Sequence, residues 1–167
     1  MSVAVVVGNP KADSRTLRVA LALADELAGR LGHTSERLVL DLADVAGELF
    51  DPASQRVMDL LEAVAASNLI IVASPTFKAT YTGLLKSFFD RYSTNALARA
   101  VAVPVMTGAA PIHALAPEVH LRPLLTELGA STPTRSLYVT EQQFDDLDAV
   151  LGPWSDAAAP LIAKALA

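Results

Sequence analysis

Five short apolar runs, each closed by a loop and separated by stretches of helical periodicity, constrain this chain more than any other feature. The first, Val3–Val7, is β-branched and stops at Gly8-Asn9-Pro10, as a buried parallel strand ending in a tight loop does. After it, Leu17, Ala20, Leu21, Ala24, Leu27 and Leu31 recur at helical spacing, with Asp13 or Ser14 as N-cap and Gly32 as the stop. Residues 37–40 predict a second strand, and residues 54–66 a helix carrying Val57, Leu60, Leu61 and Val64. The third strand is residues 68–74, nearly all apolar; a loop over 75–82 leads to a helix with Leu84, Leu85, Phe88, Phe89 and Tyr92 inward. Residues 101–107 form the fourth strand, followed by a loop at 108–111 and a helical stretch ending near Gly129. Residues 134–139 read as the fifth strand. The tail from Asp145 is helical by pattern, but Gly152-Pro153 is expected to break it, and Pro160 falls inside the remainder.

Strands alternating with helices predict an α/β fold: a doubly wound parallel sheet with helices on both faces and right-handed crossovers. Two doubly wound strand orders are common, and periodicity does not choose between them. The 167 residues suit one domain, 1–167, and 52% apolar against 19% charged residues supports a generous core or a buried interface. No apolar run approaches the roughly 20 residues that a membrane-spanning helix needs. The opening segment reads as a strand and not as a leader, so a cytoplasmic protein is expected. With no Cys, any redox chemistry must come from a bound cofactor, and a formal charge of −5 disfavours nucleic acid as a partner.

In such a sheet, ligands sit beyond the carboxyl ends of the strands where strand order reverses, which directs attention to three loops. Residues 8–16, Gly-Asn-Pro-Lys-Ala-Asp-Ser-Arg-Thr, bring hydroxyls, an amide and a guanidinium to a helix N-terminus. Free N–H groups and the positive helix end suit a monophosphate, with Asn9, Ser14 and Thr16 as hydrogen-bond donors and Arg15 as the charge. The alternative is a plain helix cap beside solvated Lys11 and Arg15. The loop lacks the Gly-Lys-Ser/Thr ending of an NTPase P-loop and the repeated glycines of a dinucleotide fingerprint. The loop from Pro75 to Thr82 has N–H groups for the polar edge of a flat heterocycle and Phe77 to lie along its ring. Phe77 and Tyr81 also read as packing or oligomer contacts, the reading preferred for Tyr81. Thr107-Gly108-Ala109-Ala110-Pro111 is small enough for backbone to approach a ligand closely. His113 and His120 would share a face of a continuous helix, but with His33 they read as ordinary polar or interface residues without a third metal ligand.

Taken together, Ser74-Pro75-Thr76-Phe77-Lys78-Ala79-Thr80-Tyr81-Thr82-Gly83-Leu84-Leu85-Lys86, Thr107-Gly108, His113-Ala114-Leu115 and Leu121-Arg122-Pro123-Leu124-Leu125 resemble the NAD(P)H-dependent FMN reductases. Within that flavodoxin-like family, the likeness is to members serving two-component monooxygenases such as the alkanesulfonate-degrading systems. It covers residues 3 to about 139 and implies the strand order 2-1-3-4-5. It further implies that Asn9, Ser14, Arg15 and Thr16 surround the FMN phosphate. Pro75, Thr76, Phe77 and Lys78 would then surround the isoalloxazine, with Thr107, Gly108 and Ala109 at its far edge. Three departures stand out: Asn9 replaces a usual Ser, Ala109 replaces the second Gly of a pair, and Asp13 puts an acid beside the phosphate unless it caps the helix or faces Lys11. The resemblance also implies hydride transfer from NADH or NADPH to FMN without a side-chain acid or base, and release of reduced flavin to a monooxygenase. A homodimer or homotetramer is implied as well, with His120 near its interface, in a helix that an extra residue sometimes bulges into a π-turn. The rival expectations are a quinone or azo reductase with retained FMN, a flavodoxin-type electron carrier, and a scaffold without cofactor.

Overall fold

The computed structural model describes residues 1–32 and 37–167. Five strands, β1 (Val3–Val7), β2 (Arg37–Asp41), β3 (Leu69–Pro75), β4 (Val101–Gly108) and β5 (Leu137–Thr140), form one sheet in the order β2-β1-β3-β4-β5. Every pairing is parallel, with Val3 opposite Arg37 and Leu69, and Leu69 opposite Val101. The structure thus supplies the choice of order that periodicity leaves open.

Side chains alternate across each strand, so two apolar faces emerge from a single run of sequence. Val3, Val5, Val7, Leu69, Ile71 and Ala73 pack with α1 (Arg15–Leu31) and α5 (Asp148–Leu166). Ala4, Val6, Ile70, Val72 and Met106 pack on the opposite face with α2 (Gln55–Ala65), α3 (Gly83–Phe89) and α4 (Arg122–Glu127). Ser14, Ser54 and Thr82 cap α1, α2 and α3, each accepting from the N–H three residues on, and Gly32 ends α1 at φ 67°. Ser14, and not Asp13, is therefore the cap. Pro104 stands within a central strand because β5 pairs only with residues 105–108 and an isolated bridge to Ser131 lies at Val101, leaving position 104 between them.

Three sequence expectations need correction. The final helix runs unbroken from Asp148 to Leu166 through Gly152-Pro153 and Pro160. Pro153 removes only one hydrogen bond close to the helix start, and burial of Leu151, Ser155, Ala158, Ala159 and Ile162 holds the rest. Arg30 of α1 also donates to the Gly152 carbonyl at 3.2 Å and to Asp156 at 2.8 Å. The fifth strand begins at Leu137, later than expected, because the carbonyls of Thr132 and Thr134 accept from Arg122 and join no ladder. Between β4 and β5 there is no single helix: a 3₁₀ turn at Pro111–His113 and a π-turn at Pro117–Leu121 precede α4, so His113 and His120 do not lie on a continuous helix. The π-turn contains His120, as the resemblance implies. His33 lies outside the described residues.

Candidate active site

The carboxyl ends of β1, β3 and β4 and the start of α1 enclose a cleft of about 340 Å³ where strand order reverses between β1 and β3. Asn9, Ser14, Arg15, Thr16, Pro75, Thr76, Phe77, Thr107, Gly108 and Ala109 all line it. Of the residues that the resemblance places around FMN, Lys78 alone is not in the lining. It sits at the exposed tip of a two-residue turn in which Lys78 and Ala79 both have positive φ, 52° and 69°, closed by reciprocal Phe77–Thr80 backbone bonds. That turn projects Phe77, 52% exposed, at the cleft edge.

The floor of the cleft is a polar network. Asn9 accepts the Lys11 N–H at 2.9 Å and donates to the Thr16 hydroxyl at 3.3 Å, which meets the Thr107 hydroxyl at 2.8 Å. Thr16 and Thr107 are both buried, and their mutual bond uses one hydroxyl proton, leaving the other for an acceptor in the cleft. Below this, the Thr82 hydroxyl donates to the Gly8 carbonyl at 2.5 Å, and the Thr82 N–H donates to Ser74 Oγ at 3.0 Å. The loop after β1 is thereby tied to the start of α3. Gly8 is confined to glycine: a Cβ there would lie 2.4 Å from Leu85 Cβ.

Two features of the cleft call for a polar ligand. Thr76 Oγ1 is buried without a hydrogen-bond partner among the described residues, a state that costs about 1–3 kcal/mol unless a ligand satisfies it. The first N–H groups of α1, at Arg15 and Thr16, have no acceptor within the helix, and both residues line the same space. Donors for an anion at the start of α1, and an aromatic ring beside an orphan hydroxyl on the loop after β3, fit a phosphorylated flat heterocycle.

Sequence reasoning missed Glu141 and Phe144, which follow β5 and complete the lining. Arg15 Nη2 donates to Glu141 Oε1 at 2.7 Å, and its guanidinium lies 5.0 Å from the Phe144 ring centroid. No local motif announces them, since 125 or more residues separate them from Arg15; only the position of β5 beside β4 brings them together. Asp13 neither caps α1 nor leaves the site: it lines the cleft at φ 52°. Burial raises the Asp41 carboxyl above its usual range, opposed by hydrogen bonds from the Ala43 and Asp13 amides.

A doubly wound sheet of this order, with a polar cleft at its switch point, defines a flavodoxin-like α/β protein with the geometry of a nucleotide-binding site. The family model for NADPH-dependent FMN reductases matches residues 1–145, and the chain belongs to that family. An NADH-dependent FMN reductase, SfnF, of Pseudomonas fluorescens (strain Pf0-1) is 34% identical over 87% of this chain and 80% of its own. An NADPH-using FMN reductase of Pseudomonas aeruginosa is 33% identical over 90% and 83%. The crystal structure of an NADH:FMN oxidoreductase, EMOB, in its apo form superposes with a TM-score of 0.86 at 29% identity, covering 99% of this chain and 90% of that one. The chain is accordingly an NAD(P)H:FMN oxidoreductase, with FMN and NAD(P)H as its small-molecule partners.

Proposed function

We propose that the cleft binds FMN with its phosphate on the N-terminus of α1 and its ring along Phe77, and that the chain hands reduced flavin to a separate monooxygenase. The observation that carries this reading is the unpartnered, buried hydroxyl of Thr76, a lining residue of the cleft that the first residues of α1 also line. The amides of Arg15 and Thr16, the Ser14 and Asn9 side chains and the Arg15 guanidinium hold the phosphate. Pro75, Thr76 and Phe77 hold the ring, with Thr107, Gly108 and Ala109 at its far edge; Lys78, at the turn tip, contributes through the shape of the turn. Bound FMN supplies the hydride-accepting chemistry, and the chain needs no acid or base of its own for that transfer. What the protein contributes is alignment: a rigid threonine floor, an aromatic wall, and donors that satisfy the ring's polar edge.

Several features favour flavin exchange over permanent retention. Phe77 is half exposed, and the cleft is lined by two cations, Lys11 and Arg15, against two carboxylates, Asp13 and Glu141. The resemblance of the loops after β3 and β4 to reductases of two-component systems supports the monooxygenase partner. We further propose that residues 1–167 act as one domain and that copies associate through the exposed Ile112, Leu115 and Val119 around the π-turn.

The test is steady-state oxidation of NADH and NADPH at 340 nm in air, with and without added FMN. Saturation with added FMN is the expected result; turnover that needs a quinone and ignores free FMN would replace this reading with that of a quinone reductase.

A further inference from the structure

Arg15, the cleft's guanidinium at the helix N-terminus, is already engaged by a carboxylate in this structure. Glu141 opens the short 3₁₀ turn Glu141–Gln143 after β5, and that turn is braced by the Gln143 side chain, which accepts from the Thr140 N–H at 2.8 Å and the Thr140 hydroxyl at 2.9 Å. The brace delivers the Glu141 carboxylate to Arg15 at 2.7 Å, while the Phe144 ring packs 5.0 Å from the same guanidinium. With Asp13 also in the lining, the cations Lys11 and Arg15 are formally cancelled before any anion arrives. A phosphate monoester brings about −1.5 to −2 charges at pH 7. It must displace the Arg15–Glu141 pair or accept a carboxylate at close range.

We propose that Glu141 is a specificity-determining residue that competes with the flavin phosphate for Arg15, and so holds FMN affinity low enough for reduced flavin to leave. This rests on the flavin reading given above. Both partners of the pair are substantially solvent-exposed, at 59% and 46% of their side-chain surface, so the pair is exchangeable and its effect is modest. The effect is confined to the phosphate: a flavin without one does not call on Arg15.

The experiment measures dissociation constants of oxidised FMN and of riboflavin, by quenching of flavin fluorescence, for the wild type, Glu141→Gln, Arg15→Gln and the double variant. Glu141→Gln is expected to tighten FMN about fivefold at low salt and to leave riboflavin unchanged. In the Arg15→Gln background the gain disappears. Equal effects on both flavins, no effect on FMN, or weaker FMN binding, as when Glu141 merely holds Arg15 in position, would overturn the role of Glu141 alone. If neither flavin binds the wild type or any variant, the flavin reading falls and the Glu141 role with it.

Discussion

Gly108 shows how a single missing side chain shapes the cleft. A Cβ at this position would lie 2.0 Å from Tyr138 Oη and 3.3 Å from Thr76 Oγ1. Tyr138 cannot yield freely, because its hydroxyl donates to the Ala110 carbonyl at 3.0 Å and so fixes the loop after β4. Gly108→Ala is therefore expected to break that bond and weaken FMN binding about fivefold, on the scale of one neutral hydrogen bond. Tyr138→Phe in the same chain, which removes the clashing oxygen, should recover part of the loss; fluorescence titration of single and double variants checks the coupling. The loop composition announced close backbone approach at Gly108, but not the reason for it. Tyr138 sits 30 positions away and reaches Gly108 only because β5 pairs with the end of β4, Gly108 opposite Thr140. Asn9 was legible as a polar cleft residue for a similar local reason, whereas its bond to Thr16, and Thr16's to Thr107, depended on β1 and β4 ending at the same edge of the sheet.

Tyr92, just beyond α3, ties two elements together on one face of the sheet. Its ring stacks edge-on against Phe88 with centroids 5.9 Å apart, and its hydroxyl donates to the Leu61 carbonyl of α2 at 2.8 Å. Burial pushes the phenol well above its ordinary value of about 10. The unfolded chain therefore loses this proton first as pH rises. Stability is fully present below about pH 10 and declines above it, where the unfolded state binds fewer protons than the native one. Urea unfolding from pH 8 to 11 should show that decline in the wild type. Tyr92→Phe should start about 1 kcal/mol less stable and show a flatter alkaline limb. An unchanged limb would mean that other groups carry the alkaline dependence. Glu118 and Arg122 make a comparable tie where the π-turn meets α4: Arg122 holds Glu118 below the usual carboxylate range, and Glu118 in turn accepts the Ser136 N–H at 2.6 Å. Periodicity located the helices whose apolar stripes are long, α1 and α2. It failed in the segment after β4 because a π-turn and a 3₁₀ turn have different periods, and in α5 because proline propensity was outweighed by packing against α1.

At the scale of the molecule, three large apolar side chains of one connecting segment stay exposed among the described residues. Ile112, Leu115 and Val119 are 83%, 71% and 56% exposed, the first two ahead of the π-turn and the third within it, in the segment that connects β4 to α4. If copies of the chain meet there, Leu115→Glu together with Val119→Glu should convert the assembly to a monomer by light scattering while leaving the far-UV spectrum unchanged. An unchanged mass would place the interface elsewhere. Much of the architecture was legible in the linear chain. Five apolar runs alternating with helical stripes specify a two-faced parallel sheet, because burial on both faces demands unbroken apolar strands and period-3.6 cover. The loop residues that line the cleft were legible for a related reason: ligands meet such sheets at strand ends, and strand ends are marked by glycine, proline and hydroxyl residues. The order of the strands was legible through the family resemblance and not through spacing, whereas the pairing of Arg15 with Glu141, the orphan hydroxyl of Thr76 and the closeness of Tyr138 to Gly108 belong to the tertiary structure alone. Each depends on which strand lies beside which. Contacts between residues far apart in the chain leave no mark in local spacing, because local spacing records only how each segment buries its own apolar face.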